Sequence, residues 1–165
     1  MDISGSDEIF MAEALKEAEA ALTENEIPVG AVVVKDGKII GRGRNLRERN
    51  RDLFSHAELN AIKEASSYLK DWRLEDCAMY VTLEPCPMCA GAVLQSRLKK
   101  LCFGADSPRE GCAGSVVNIL DFPGMSWHTE VYSGVLKERC EGILKKFFES
   151  GRSNIDKKNL MLDNS

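Results

Sequence analysis

Apolar positions in the first part of the chain recur at helical spacing. Met11, Leu15, Ala18 and Leu22 share one face, and Asp7 and Glu8 suit the positive end of a helix that Ser6 is placed to cap. The pattern then turns extended. β-Branched runs from Val29 to Val34 and from Lys38 to Gly43 flank Asp36-Gly37, a favoured two-residue turn, and predict a hairpin. The mainly polar stretch Asn45 to Ser55 predicts a loop, with Ser55 as N-cap of a helix running through Ala61, Ile62 and Ala65. Met79 to Leu83 reads as a short strand, which Pro85 ends before a helix from Cys86 to Gln95. Leu101 to Gly104 is the next strand. A glycine-containing loop follows from Ala105 to Ser115, then a short strand at Val131-Tyr132 and an amphipathic helix from Gly134 to Phe148. Beyond it the periodicity lapses, so one domain is expected over 1–150 and a frayed tail over 151–165. A hairpin followed by alternating strands and helices predicts an α/β layer, one mixed sheet covered by helices.

Composition narrows this picture. A chain of 165 residues can bury a core large enough for one domain without staples. No apolar run approaches the length of a membrane span, and the opening MDISGSDEIF has neither the basic start nor the apolar core of a leader, so a cytoplasmic location is expected. The net charge of −4 provides no global attraction for a polyanion. Any nucleic-acid contact must therefore be local, as at Arg42 to Arg51 or Ser96 to Lys100, and each of these reads equally well as a solvated surface. Six cysteines without an export signal predict free thiols, with Cys77, Cys102, Cys112 and Cys140 buried as small apolar groups.

The candidate chemistry lies in SHAELNAI and EPCPMC. His56 and Glu58 are two residues apart, which on a helix separates them by about 200°, so they can converge only near the axis of a first turn. Cys86 and Cys89 lie on one face, where the positive end of their own helix favours thiolates. One imidazole and two thiolates make the donor count of a catalytic zinc, which keeps its fourth position for a water and brings that water to a pKa of about 7. Glu58 beside such a water is free to carry its proton to a leaving nitrogen. The donor set and the lack of any redox step favour zinc over iron. Singly, each piece has other meanings. His-x-Glu is common in exposed sequence, and Cys-x-x-Cys also makes redox pairs or half of a four-cysteine structural site that Cys77 or Cys112 would complete.

The combination of His-x-Glu, a strand, and Pro-Cys-x-x-Cys matches the signature of zinc-dependent base deaminases. With EIPVGAVVV, SHAELNAI, TLEPCPMCAGA, FGADSPREGCAGS, NILDFPGM and KKFF, the chain resembles the cytidine and deoxycytidylate deaminase superfamily, and within it the bacterial tRNA-specific adenosine deaminases, from its first helix to Phe148. The resemblance implies a three-layer α/β/α cytidine-deaminase-like fold with a central mixed five-stranded sheet, a homodimer and one Zn2+ per subunit. It also implies hydrolytic conversion of the wobble adenosine in a tRNA anticodon loop to inosine, with release of ammonia. By position, His56, Cys86 and Cys89 would hold zinc, Glu58 would shuttle the proton, and Asn45, Phe147 and Phe148 would lie beside the substrate. Ser107 and Arg109 occupy places where the family carries an aspartate and a lysine near the target nucleotide. A serine there can still hydrogen-bond a hydroxyl, without the added strength of charge. Leu53 and Phe54 before His56, Trp127 after PGM, and a weakly basic tail also depart from the family pattern. These departures admit a second substrate class, a free nucleobase or small nucleoside. A third reading, a zinc-stabilised binding module without catalysis, would have no need of Glu58.

Overall fold

The computed structural model describes the backbone of residues 3–162 and the side chains of residues 3–151. Helix α1 (Gly5–Thr23) is capped by Ser4 rather than Ser6. The Ser4 hydroxyl accepts from the Asp7 amide at 3.3 Å, and the Asp7 carboxylate accepts from the Ser4 amide at 2.9 Å. This capping box needs an acid three residues past the cap, which Asp7 supplies for Ser4 while Ser6 meets only Ile9. The predicted hairpin forms as β1 (Gly30–Lys35) and β2 (Lys38–Arg44). Asp36 and Gly37 between them have φ of 49° and 74°, the signs its turn requires. The expected loop before the histidine contains one helical turn, α2 (Arg47–Asn50). Then follow α3 (Ala57–Leu69), β3 (Ala78–Leu83), α4 (Pro87–Gln95), β4 (Lys100–Ala105), β5 (Glu130–Tyr132) and α5 (Lys137–Leu162).

The five strands form one sheet in the order β2-β1-β3-β4-β5. β1 runs antiparallel to both β2 and β3, whereas β3, β4 and β5 are parallel. Alternation along the strands sorts the core into two faces. Ala31, Val33, Met79, Val81, Leu101 and Phe103 pack against α3 and α4, while Val32, Val34, Tyr80 and Cys102 pack against α1 and α5. The outcome is the expected three-layer α/β/α arrangement.

Seating of α3 on the sheet sets the height of the site. Ala57, Ala61 and Ala65 recur every fourth residue and are fully buried against the strands. Small residues are needed on both sides of this contact, because a Cβ at Gly43 would stand 2.1 Å from the Ala57 carbonyl oxygen. On the opposite face, buried Asp7 accepts from Tyr80 Oη and Lys100 Nζ, each at 2.7 Å, tying α1 to β3 and β4. Burial works against the charge on Asp7, but the hydrogen bonds from Lys100, Ser4 and Tyr80 prevail and hold its carboxyl down at about 2.

Cys77, Cys102, Cys112 and Cys140 are free and buried, as expected. Burial pushes the Cys102 and Cys140 thiols up to about 12. Helix α5 runs into the stretch expected as a tail over 151–165, as helical backbone as far as Leu162. No proline interrupts this stretch, and Gly151 alone does not break a helix already nucleated upstream. Residues 163–165 lie outside the described residues. Among the described residues, no helix is long and apolar enough to cross a membrane.

Candidate active site

Two helix starts meet beside the end of β3. His56 is the N-cap of α3 and Cys86 the N-cap of α4, both with extended backbone, and Pro87 occupies the first turn of α4, where a missing N–H costs nothing. The sequence points to Ser55 as the cap of α3. Its hydroxyl instead accepts from Asn50 Nδ2 at 2.9 Å and Asn60 Nδ2 at 3.3 Å, so it braces the loop and leaves the terminal position to the imidazole.

His56 Nδ1 lies 3.4 Å from Cys89 Sγ and 3.8 Å from Cys86 Sγ, and the three donor atoms all fall within 4.8 Å of one another. A tetrahedral zinc with Zn–S of about 2.3 Å and Zn–N of about 2.0 Å separates its sulfur and nitrogen ligands by about 3.5 Å. Both the spacing and the chemistry of the donors therefore fit that ion. The hydrogen bond with Cys89 holds the Cys86 thiol down to about 4, against burial and with help from His56. The same partnership with Cys86, reinforced by burial, pushes the Cys89 thiol up. The hydrogen bond with Cys86 raises His56.

Glu58, in the first turn of α3, is only 4% exposed, and burial raises its carboxyl above the usual range. It lines the same cavity as His56 and Cys86, a space of ≈ 370 Å³. That volume falls among pockets that enclose small organic ligands. Asn45 is also on the wall. Its Nδ2 donates to Ile27 O at 3.2 Å and its Oδ1 accepts from the Arg47 amide at 3.2 Å, which fixes the amide plane and leaves one N–H and one lone pair for a ligand.

The other expected substrate residues divide. Ser107 and Phe147 line the cavity, whereas Phe148 and Arg109 do not. Consecutive helical residues point about 100° apart, so only one of the two phenylalanines can face inward. Phe148 is 51% exposed and meets Phe147 edge-on at 5.4 Å between ring centroids. Arg109 is exposed on the turn that the Gly111 amide closes onto Ser107 O at 2.8 Å. The basic stretch from Arg42 to Arg51 is largely spoken for: Arg42 pairs with Glu13 at 2.8 Å, Arg44 with Glu24 at 2.7 Å and Arg49 with Glu24 at 2.6 Å.

Two buried acids on the cavity wall were not singled out from the sequence. Glu26 accepts from the amides of Arg49 at 2.6 Å and Glu48 at 3.3 Å and so caps α2. Glu84 stands at the end of β3, just ahead of Pro85-Cys86. The only sequence signal for either was a carboxylate next to an apolar segment and close to a proline, a pattern that by itself says nothing of its partners.

A sheet with helices on both faces, whose crevice gathers an imidazole, two thiols and a buried glutamate, defines a nucleobase-deaminase type of protein. The model of the MafB19-like deaminase family matches residues 5–152, and the chain belongs to that family. It is 50% identical over 146 residues to the tRNA-specific adenosine deaminase of Bacillus subtilis (strain 168), covering 88% of this chain and 91% of that protein. A solved structure from work on A-to-I editing by tRNA:A34 deaminases at the wobble position superposes with a TM-score of 0.79 at 38% identity, covering 82% of this chain and 98% of the other. The guanine deaminase of Bacillus subtilis superposes with a TM-score of 0.58, also at 38% identity, over 63% of this chain and 66% of its own.

Proposed function

We propose that this chain is a zinc-dependent hydrolase that converts the wobble adenosine of a tRNA anticodon to inosine and releases ammonia. One observation carries the reading: His56 and Cys86 of the donor cluster line a single cavity with the buried Glu58, in a chain half identical, along most of its length, to a tRNA-specific adenosine deaminase. Zinc held by His56, Cys86 and Cys89 would supply Lewis acidity and make water a nucleophile near neutral pH. Glu58 takes one proton from the attacking water and returns it to the leaving nitrogen, a task suited to a carboxyl whose proton affinity burial has raised. Adenosine and water thus give inosine and ammonia, with Glu58 regenerated.

The remaining residues hold the base. Asn45 offers its unspent N–H and lone pair to the nucleoside, and Phe147 offers a ring face to a base swung out of the anticodon loop. Ser107 can hydrogen-bond the target nucleotide, while Arg109 and Phe148 stand outside the cavity, where only a longer RNA would reach them. The catalytic domain spans residues 1–150, and the protein works as a cytoplasmic homodimer with one zinc per subunit. A cleft lined by Trp72, Leu94, Ile119, Met125 and Trp127 offers apolar surface of the kind a second copy covers.

The test is a substrate panel. Purified protein is incubated with anticodon stem-loops carrying adenosine at the wobble position, and separately with adenine, guanine, cytosine and their nucleosides. Inosine in the stem-loop supports the proposal. Ammonia from small substrates alone rejects it in favour of a free-base deaminase, a reading to which the uncharged Ser107 and the likeness to guanine deaminase lend weight.

A further inference from the structure

Glu84 follows the last residue of β3 and precedes Pro85-Cys86, and it is 2% exposed. Its carboxylate receives four donors, all from the loop after β4. Oε2 accepts from the Ser107 amide at 2.9 Å and from the Ser115 hydroxyl, and Oε1 accepts from the amides of Ala113 at 3.1 Å and Ser115 at 2.9 Å. Two further bonds lie alongside: the Glu84 amide donates to Ala105 O at 2.9 Å, and the Cys112 amide donates to Pro85 O, also at 2.9 Å. The loop closes so tightly that a Cβ at Gly111 would stand 2.3 Å from the carboxylate.

A carboxylate has about four acceptor sites, so this one has none left for a ligand even though it borders the cavity. Its effect on a substrate must pass through the loop. That loop brings Ser107 and Glu110 to the wall of the cavity that Asn45 and His56 also line. A glutamine could not take the same part, because its single oxygen would face some of the donors and its NH2 group would be pressed against the others.

We propose that Glu84 is a positioning residue for the deamination: it gathers the loop from 106 to 115 around one buried carboxylate and so sets where Ser107 meets the substrate. The inference rests on the function proposed above, since it assumes that a nucleotide occupies this cavity.

The experiment compares wild type, Glu84→Gln, Ser115→Ala, Ser107→Ala and the Glu84→Gln/Ser107→Ala double variant in the full zinc-loaded protein. Two readouts are taken, amide hydrogen exchange at Ser107, Ala113 and Ser115, and kcat and KM on the wobble-adenosine stem-loop. In Glu84→Gln those amides exchange at least about tenfold faster, and KM rises about tenfold while kcat changes by less than about twofold. Ser115→Ala, which removes one donor of the four, moves both readouts the same way by less. In the Ser107→Ala background the further rise in KM from Glu84→Gln largely disappears, because the two residues act in series. Unchanged exchange overturns the proposal, and so does a fall in kcat at constant KM or an additive double variant. If wild type leaves the stem-loop adenosine intact, the proposed function fails; KM is then read on whichever base is deaminated, and amide exchange decides the anchor independently.

Discussion

His56 Nδ1 stands 3.4 Å from Cys89 Sγ although 33 residues separate them in sequence. The contact exists because each belongs to the opening turn of a helix. Those helices, α3 and α4, lie on the same face of the sheet. The sheet therefore sets how the imidazole and the two thiols meet, and Glu58, in the first turn of α3, comes with them.

Replacement of Glu58 by glutamine should separate binding from chemistry. Glu58→Gln keeps shape and burial but cannot accept the proton, so turnover on the stem-loop falls about 10²- to 10⁴-fold while zinc content stays at the wild-type level. Parallel metal analysis and single-turnover assays check both parts. Undiminished turnover would show that Glu58 is not the group that carries the proton.

Gly43→Ala tests how the site is held. The new methyl would meet the Ala57 carbonyl oxygen at 2.1 Å, so α3 must lift from the sheet where it carries His56 and Glu58. Urea unfolding should register a loss of about 1–3 kcal/mol, the usual cost of overpacking. The deamination rate should drop as well, since the first turn of α3 moves with the helix.

Asp7 gives a pH dependence with a definite sign. Its carboxyl stands at about 2 in the fold against an ordinary 3.8, so its contribution is complete above the ordinary value and is lost as pH falls toward the folded one. With a side chain only 3% exposed, that contribution is about 2 kcal/mol. Denaturation of wild type and Asp7→Asn should differ most above about pH 4 and converge toward about pH 2. A difference that grew on acidification would contradict the Asp7–Lys100–Tyr80 tie.

The arginines of β2 give a negative prediction for RNA binding. Arg42 is held by Glu13 at 2.8 Å and by Glu17 at 3.6 Å, so it is not free to meet a phosphate. Arg42→Ala should leave the slope of log affinity against log salt for the stem-loop unchanged, whereas loss of a true phosphate contact would flatten it by about 0.7. Fluorescence anisotropy across a salt series measures this directly.

Local signals made the hairpin, the alternating layers and the meeting of His56 with Cys86 and Cys89 legible in the sequence: a turn dipeptide, a change of period, and paired polar side chains at helix starts. Resemblance added the five-stranded sheet and the chemistry. What the sequence hid depends on which neighbour a side chain meets. Ser6 stood as the expected cap, but Asp7 completes the capping box with Ser4. Arg42 looked free until α1 laid Glu13 against it. Phe147 and Phe148 were both expected beside the substrate, Phe148 foremost, but the rotation of α5 brings Phe147 to the cavity. Glu84 carried no pattern, because its four donors come from a loop more than twenty residues downstream.

The most direct test of the shared ion is X-ray absorption at the zinc edge on purified full-length protein. A site built from His56, Cys86 and Cys89 should give two sulfurs at about 2.3 Å and two lighter atoms at about 2.0 Å, one imidazole nitrogen and one oxygen. A shell of four sulfurs, or protein that retains no zinc, would contradict it.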